Sequence, residues 1–145
     1  MKKEYLPHKS LFDLDARYIA AACYILPLLE MLLDFPNLLG TLLMILPFFI
    51  FFGEKHSEFV RFHALQSFLI NFCFLTIVSA IVMGFAIIGL LQFSIIGILA
   101  LIFDLIVSIG VICLSIYSTI KAFNYWTTDI PLFSKIAHKY AKSSY

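Results

Sequence analysis

Three ionisable residues interrupt the long apolar stretches of this sequence, and each is of a type that does chemistry. Glu30 and Asp104 are carboxylic acids, and His63 opens a further apolar stretch. A carboxylate inside a membrane span is costly unless it is neutral, paired or hydrated, so it is a functional candidate by default. By helix rise, Glu30 lies about 20 Å beyond Arg17 and Asp104 about 25 Å before Lys121. At comparable depth the two acids could share a proton, bind a cation or polar partner, or reach the outer headgroups.

A second polar group surrounds His63 at the start of its apolar stretch. Together with Gln66, Ser67 and Asn71 it covers one arc of about 140° on a helix, while Arg61 points away and can reach lipid phosphates. A lone histidine at a helix start more often hydrogen-bonds a neighbouring helix than catalyses. No nucleophile–base pair lies at one depth, and GxSxG, HExxH and phosphate-loop motifs are missing from the sequence. We therefore expect a protein that is not an enzyme and has no catalytic, cofactor-binding or metal site.

The distribution of positive charge predicts the elements that carry these residues. All ten Lys and Arg residues fall within 2–17, 55–61 and 121–142, which leaves 18–54 and 62–120 without a positive charge. Each of these two stretches is long enough to cross a bilayer and return. Four spans then place every positive charge on one side, as the positive-inside rule requires. We expect both termini in the cytosol.

Composition agrees with a membrane location. The chain is 62% hydrophobic and 13% charged, with a mean hydropathy of +0.99, whereas soluble domains carry about a quarter charged residues. The basic residues are too scattered to predict a nucleic-acid partner. The lipid bilayer is therefore the first expected partner.

The predicted fold is an all-α integral membrane protein with four transmembrane helices and a short amphipathic interfacial helix. A cytosolic segment, 1–17, precedes a membrane domain, 18–126, whose spans cover about 18–33, 38–52, 58–83 and 95–120, with the outer turn at 84–94. The tail 127–145 holds the interfacial helix. The first two spans reach only about 24 Å against a core of about 30 Å, so a re-entrant hairpin is an alternative. Tyr117, Tyr125 and Trp126 are expected to form an aromatic belt.

The last span carries a stripe of small and polar residues along one face. Its members include Gly97, Ala100, Asp104, Ser108, Val111, Ser115, Ser118, Thr119 and Ala122. Small residues let helices approach closely in lipid, where the hydrophobic effect does not drive association. The stripe therefore predicts helix packing, and the wall of a solvated pathway is the alternative.

Three segments carry a family resemblance. The sequence Phe-Val-Arg-Phe-His-Ala-Leu-Gln at 59–66, the first span around Tyr24 and Pro27, and the Ile-Pro-Leu element at 130–132 resemble the Tic-twenty-like family. That family comprises a four-span core protein of the chloroplast inner-envelope import translocon and its bacterial relatives. The resemblance implies four membrane helices with both ends on one side, and a role in protein translocation. It also implies a bacterial inner membrane or a plastid inner envelope or thylakoid, with both termini in the cytosol or stroma. The mixed charge of residues 1–17 is not that of a transit peptide.

Two function hypotheses follow, with a weaker third. The first is a non-enzymatic polytopic membrane protein, a subunit or relative of a protein-translocation or membrane-assembly complex. It would act through helix packing with membrane-protein partners or as a homo-oligomer. The alternative is a small ion-coupled transporter or channel that uses Glu30 and Asp104. The third is a lipid- or stress-related membrane protein that uses its basic tail helix.

Overall fold

The computed structural model describes residues 4–10, 13–33, 37–89 and 94–142, and all structural statements concern these residues. The helices are α1 (Ala16–Leu33), α2 (Asn37–Gly53), α3 (Glu58–Gly89), α4 (Ser94–Phe123) and α5 (Phe133–Ala141). By length and composition, α1, α3 and α4 can each cross a membrane, and α2 is a shorter apolar helix. The chain is therefore a helical membrane protein, as the sequence predicts, and the fourth full span stays a prediction.

The four apolar helices form a bundle that is thicker at one end than at the other. Helix α1 packs against α2, α3 and α4, while α2 packs against α1 and α3. α3 and α4 have 32 and 30 residues, but α1 and α2 have only 18 and 17. At about 1.5 Å per residue, α3 and α4 extend about 20 Å beyond the shorter pair. We call this two-helix extension the outer section.

The predicted outer turn at 84–94 is too long, because α3 runs to Gly89 and α4 begins at Ser94. A glycine such as Gly84 costs a helix about 1 kcal/mol relative to alanine. In lipid, however, a backbone that leaves the helix finds no other hydrogen-bond partner, so the helix persists through it. Between the first two predicted spans, a turn is predicted at 34–37; Asn37 instead begins α2, and residues 34–36 lie outside the described residues.

The opposite end of the bundle carries the described basic residues and is called the basic end. It joins the starts of α1 and α3, the ends of α2 and α4, and α5; its basic residues are Lys9, Arg17, Lys55, Arg61, Lys121, Lys135, Lys139 and Lys142. The N-terminal segment crosses this end. Glu4 forms an antiparallel bridge with Trp126, and the Tyr5 amide donates to the Tyr125 carbonyl at 3.0 Å. The structure thus brings the three basic clusters together, as the charge pattern predicts.

The tail forms a short helix that packs on the bundle. Leu132 precedes α5 with a left-handed φ of 71°, and α5 packs against α3 with Ala137 and Ala141 fully buried near Phe62. The exposed side carries the lysines, and Leu132 and Tyr140 also remain exposed. Part of the predicted apolar face therefore contacts protein. The position of α5 at a membrane surface stays a prediction.

Candidate functional site

Gln66 is the centre of a buried hydrogen-bond network between α3 and the tail. Its Oε1 accepts from the Tyr24 hydroxyl at 2.8 Å and from the Thr128 hydroxyl at 2.6 Å. Its Nε2 donates to Ser134 Oγ at 2.9 Å and to the Thr128 carbonyl at 3.3 Å. The side chain is fully buried. All of its donor and acceptor positions are in use, so Gln66 has no capacity left for a ligand.

His63 belongs to the same network. Its Nδ1 lies 3.1 Å from the Tyr24 hydroxyl oxygen, and its ring packs edge-on against Phe59 at 4.6 Å between centroids. Because the one hydroxyl proton of Tyr24 goes to Gln66, Nδ1 of His63 is the donor in this contact. The ring is fully buried. The predicted role as a hydrogen-bonding partner of a neighbouring helix fits this geometry.

One turn further along α3, polar side chains connect to α1. Ser67 Oγ donates to the Cys23 carbonyl at 2.6 Å, and Asn71 Nδ2 donates to the Ser67 carbonyl at 2.8 Å. Both side chains are buried. The Cys23 carbonyl lies one turn before Pro27, whose ring nitrogen cannot donate to it. Ser67 therefore satisfies a carbonyl that the proline leaves without its usual helical partner.

The α2–α3 loop is held by Glu54, which is almost completely buried. Its Oε1 accepts from the amides of His56 and Ser57 at 2.8 and 2.9 Å, and Ser10 donates to its Oε2. Ser57 Oγ in turn accepts from the Val60 amide at 3.1 Å, so Ser57 is the N-cap of α3. His8 Nε2 lies 2.7 Å from the same hydroxyl. The N-terminal segment is thereby tied to this loop.

Asp15 and Tyr125 form a second tie at the basic end. The Tyr125 hydroxyl donates to Asp15 Oδ1, and Arg17 Nε lies 3.0 Å from Asp15 Oδ2. The hydrogen bond from Tyr125 lowers the pKa of the Asp15 carboxyl, and Arg17 lowers it further. Burial raises the pKa of the Tyr125 hydroxyl, and the Asp15 carboxylate adds to this effect. Tyr125 is buried and packs on Phe59, so only Tyr117 and Trp126 of the predicted aromatic belt are exposed.

Arg61 contacts protein groups on both sides. Its Nη2 donates to the Tyr140 carbonyl at 3.3 Å, and its guanidinium lies 5.1 Å from the centre of the Phe51 ring. A cation is favourable at the C-terminal end of a helix such as α5. Arg61 therefore joins α2, α3 and α5, where the sequence suggested a contact with lipid phosphates.

The small stripe of α4 faces the inside of the bundle. Ser115, Ser118 and Ala122 are buried, and Ser108 is half-buried. This burial agrees with the predicted packing, and the neighbours of α4 are helices of the same chain. At Gly97, an added Cβ atom would meet no described atom within 4 Å, so this glycine does not mark a close approach between described helices.

Asp104 lies where the stripe reaches the outer section. It lines a cavity of about 210 Å³ between α3 and α4, together with Ile81, Phe85, Gly97, Ala100 and Leu101. Its Oδ1 is shielded, yet no hydrogen-bond partner for it lies among the described residues. A shielded polar oxygen without a partner is costly, by about 1–3 kcal/mol. Among the described residues, Asp104 is the intramembrane carboxyl group with a shielded oxygen that has no hydrogen-bond partner.

The structure does not bring Glu30 and Asp104 together. Tyr24 of α1 faces Ser118 of antiparallel α4. From this level, Glu30 lies six residues further along α1, about 9 Å, and Asp104 lies fourteen residues back along α4, about 21 Å. By helix rise, the two residues therefore differ in level by about 12 Å along the bundle, and Glu30 has an interaction of its own.

Sequence inspection alone missed several members of these networks. Tyr24, Thr128 and Ser134 complete the contacts of Gln66, and Glu54 organises the α2–α3 loop. Ser134 does have a local signal, because its hydroxyl accepts from the Ile130 amide four residues earlier, just before Pro131. Long-range partners such as Tyr24 leave no such signal in a single sequence.

Comparisons with known proteins place the chain among membrane proteins. The model of the magnetosome magnetite crystal formation protein family matches residues 15–137. A UPF0132 membrane protein of Methanocaldococcus jannaschii is 34% identical over 87 residues, which cover 60% of this chain and 54% of that protein. The chain thus spans about half the length of this curated relative. No solved structure matches the chain.

The resemblance to the Tic-twenty-like family is wrong, since the family match points elsewhere. The translocon role and the plastid location that depended on it lose their support. The misleading motif, 59–66, is the start of α3, where its residues pack against α1, α5 and the N-terminal segment. A helix whose first turns pack polar and aromatic residues against neighbouring segments can show such a pattern, so the motif is not specific to one family.

Proposed function

This chain belongs to the magnetosome magnetite crystal formation protein family, and on that premise we propose that it is a non-enzymatic polytopic membrane protein that packs against partner helices. The partner is a second copy or another membrane protein. All four apolar helices are in the bilayer, with the basic end in the cytosol. Crystal formation is the role that the family description names, and the proposal for this chain concerns its place in the membrane and its helix packing.

The proposal depends on Asp104 in the outer section, because its Oδ1 is shielded and has no hydrogen-bond partner among the described residues. There the bundle is only two helices thick, and Leu101 beside the cavity is 71% exposed. A second cavity of about 240 Å³, lined by Leu99 and Phe103 among others, opens on the other side of the contact between α3 and α4. A partner helix with a hydrogen-bond donor would satisfy Asp104 and cover the first cavity, since polar groups join helices across a membrane.

The basic end supports a structural role. His63, Gln66 and Ser67 are fully buried there, and each forms hydrogen bonds within the protein, while Nε2 of His63 has no partner among the described residues. A buried hydrogen-bond network of this kind fixes one arrangement of the helices. This favours a rigid platform over a reaction site.

Photo-cross-linking in native membranes tests the proposal. A benzophenone amino acid in place of Leu101 is expected to give a discrete cross-linked species with a second polypeptide. The same probe in place of Phe52, an exposed position at the basic end of α2, serves as the control and should give none. Asp104→Leu combined with the Leu101 probe should abolish the cross-link. A Leu101 probe that captures only lipid, or a cross-link unaffected by Asp104→Leu, contradicts the proposal.

The second candidate function is an ion-coupled transporter or channel. The shielded carboxyl group of Asp104 beside a cavity favours it, because intramembrane acids mark ion and proton pathways. Glu30 and Asp104 differ in level by about 12 Å along the bundle, so Asp104 would act as the single coupling group. Proton or sodium flux into proteoliposomes should then be lost in Asp104→Asn and kept in Glu30→Gln. Equal flux in Asp104→Asn and the unmodified protein would remove this candidate.

A further inference from the structure

A cavity of about 500 Å³ opens at the end of α4, where the last membrane span meets the basic end. Its lining residues are Glu4, Ile120, Lys121, Asn124 and Trp126. Pockets of about 300–1,000 Å³ are typical of small-ligand sites. The span itself ends at Phe123, so the cavity lies at the level of the phospholipid headgroups.

The described lining residues of the cavity carry one charge of each sign. Lys121 provides an ammonium group, which lies 4.5 Å from the centre of the Trp126 ring and 5.5 Å from that of Tyr117. Glu4 provides a carboxylate, and its backbone bridge to Trp126 holds it against the end of α4. The two rings orient the lysine without neutralising it. A ligand that fits must therefore present a negative and a positive group at once.

The polarity of the lining also has a direction. Ile120 and Tyr117 are exposed on the α4 surface towards the span, while Glu4 and Asn124 lie beyond it. The Asn124 amide donates to the Ile120 carbonyl at 2.8 Å, which leaves its carbonyl oxygen and one N–H able to contact a ligand. An amphipathic ligand would place chains along Ile120 and its polar head between Lys121 and Glu4.

We propose that this cavity binds the headgroup of a phospholipid with a primary ammonium, of the phosphatidylethanolamine type. Lys121 binds the phosphate, and the carboxylate of Glu4 accepts hydrogen bonds from the ligand's ammonium. A choline headgroup has the same net charge but no N–H to donate to Glu4. The site therefore prefers ethanolamine to choline lipids. This inference depends on the membrane location alone and stands apart from the partner-helix proposal.

The fluorescence of Trp126, the one tryptophan in the chain, provides the test. The full-length protein is reconstituted in phosphatidylcholine vesicles that contain equal mole fractions of either acyl-brominated phosphatidylethanolamine or acyl-brominated phosphatidylcholine. Both lipids have no net charge, so the basic end does not favour either. We expect the ethanolamine lipid to quench Trp126 with a relative binding constant about two- to fivefold higher, the range for an exposed charged pair.

Variants assign the preference to the cavity. Glu4→Gln should bring the relative binding constant close to one, because a neutral amide oxygen accepts a hydrogen bond from an ammonium much more weakly than a carboxylate does. Asp13→Asn removes another exposed N-terminal carboxylate, paired with Lys9 outside the cavity, and should keep the preference. Equal quenching by the two lipids in the unmodified protein would overturn the proposal. A preference that survives in Glu4→Gln would overturn it as well.

Discussion

Replacing Gln66 with leucine removes the side chain that links α1, α3 and the tail. Four hydrogen bonds are lost, to the Tyr24 hydroxyl, the Thr128 hydroxyl and carbonyl, and the Ser134 hydroxyl. Tyr24 can still hydrogen-bond to His63, and Ser134 keeps its bonds to the backbone. The Thr128 hydroxyl, however, loses its acceptor in a fully buried position.

The expected loss can be worked out from these contacts. A buried hydroxyl without a partner costs about 1–3 kcal/mol, and each other lost bond costs about 0.5–1.5 kcal/mol. After the rearrangements at Tyr24 and Ser134, we expect Gln66→Leu to reduce the free energy of unfolding by about 2–4 kcal/mol. For a chain of this size, that lowers Tm by about 4–16 °C.

Unfolding in mixed detergent micelles, followed by Trp126 emission, measures this change. Thr76→Val is the matched control, because the Thr76 hydroxyl bonds only to the Phe72 carbonyl on an exposed helix face. It should change the unfolding free energy by less than about 0.5 kcal/mol. If Gln66→Leu were no more destabilising than Thr76→Val, the network would not hold the helices as argued.

Three further predictions concern other contacts. Tyr125→Phe should destabilise the protein between about pH 4 and 10. The pKa of Asp15 is lowered in the folded protein, so the stability that it contributes is lost as the pH falls through that pKa. The pKa of Tyr125 is raised, so the stability that it contributes is lost as the pH rises through that pKa. Tm profiles of both proteins should therefore converge at the extremes, and parallel profiles would contradict the pairing. Gly97→Ala should leave the unfolding free energy unchanged or raised by up to about 1 kcal/mol, since its Cβ has space; a clear loss of Tm would show closer packing. Arg61→Gln should speed amide hydrogen exchange in α5 by releasing the Tyr140 carbonyl, and unchanged exchange there would refute the tether.

The sequence predicts the helices well because in lipid they depend on local properties. Apolar length and charge distribution locate the four apolar helices, and Ser57 marks the start of α3 through a bond within one turn. The helix ends near Gly84 are predicted poorly. A glycine favours a turn in water, but in a bilayer the backbone stays helical because it has no other hydrogen-bond partner. Local signals therefore suffice for the elements but not for their ends inside the membrane.

The candidate sites are harder to predict, since they depend on register between helices. The arc around Gln66 is visible in the sequence, but its partner Tyr24 lies 42 residues away. Glu30 and Asp104 have similar depth when counted from basic residues, yet the α1–α4 register separates them. The α4 stripe predicts packing without saying whether the partner is another helix of the same chain.

The mass of the assembly in lipid nanodiscs tests the central claim most directly. The proposal predicts that the native 16.5 kDa chain is accompanied by a second copy or by a stoichiometric partner. Asp104→Leu should run as a single chain with unchanged helicity, because Asp104 Oδ1 has no bond to lose within the described residues. A single chain in both proteins, or an assembly that Asp104→Leu leaves intact, would contradict the account.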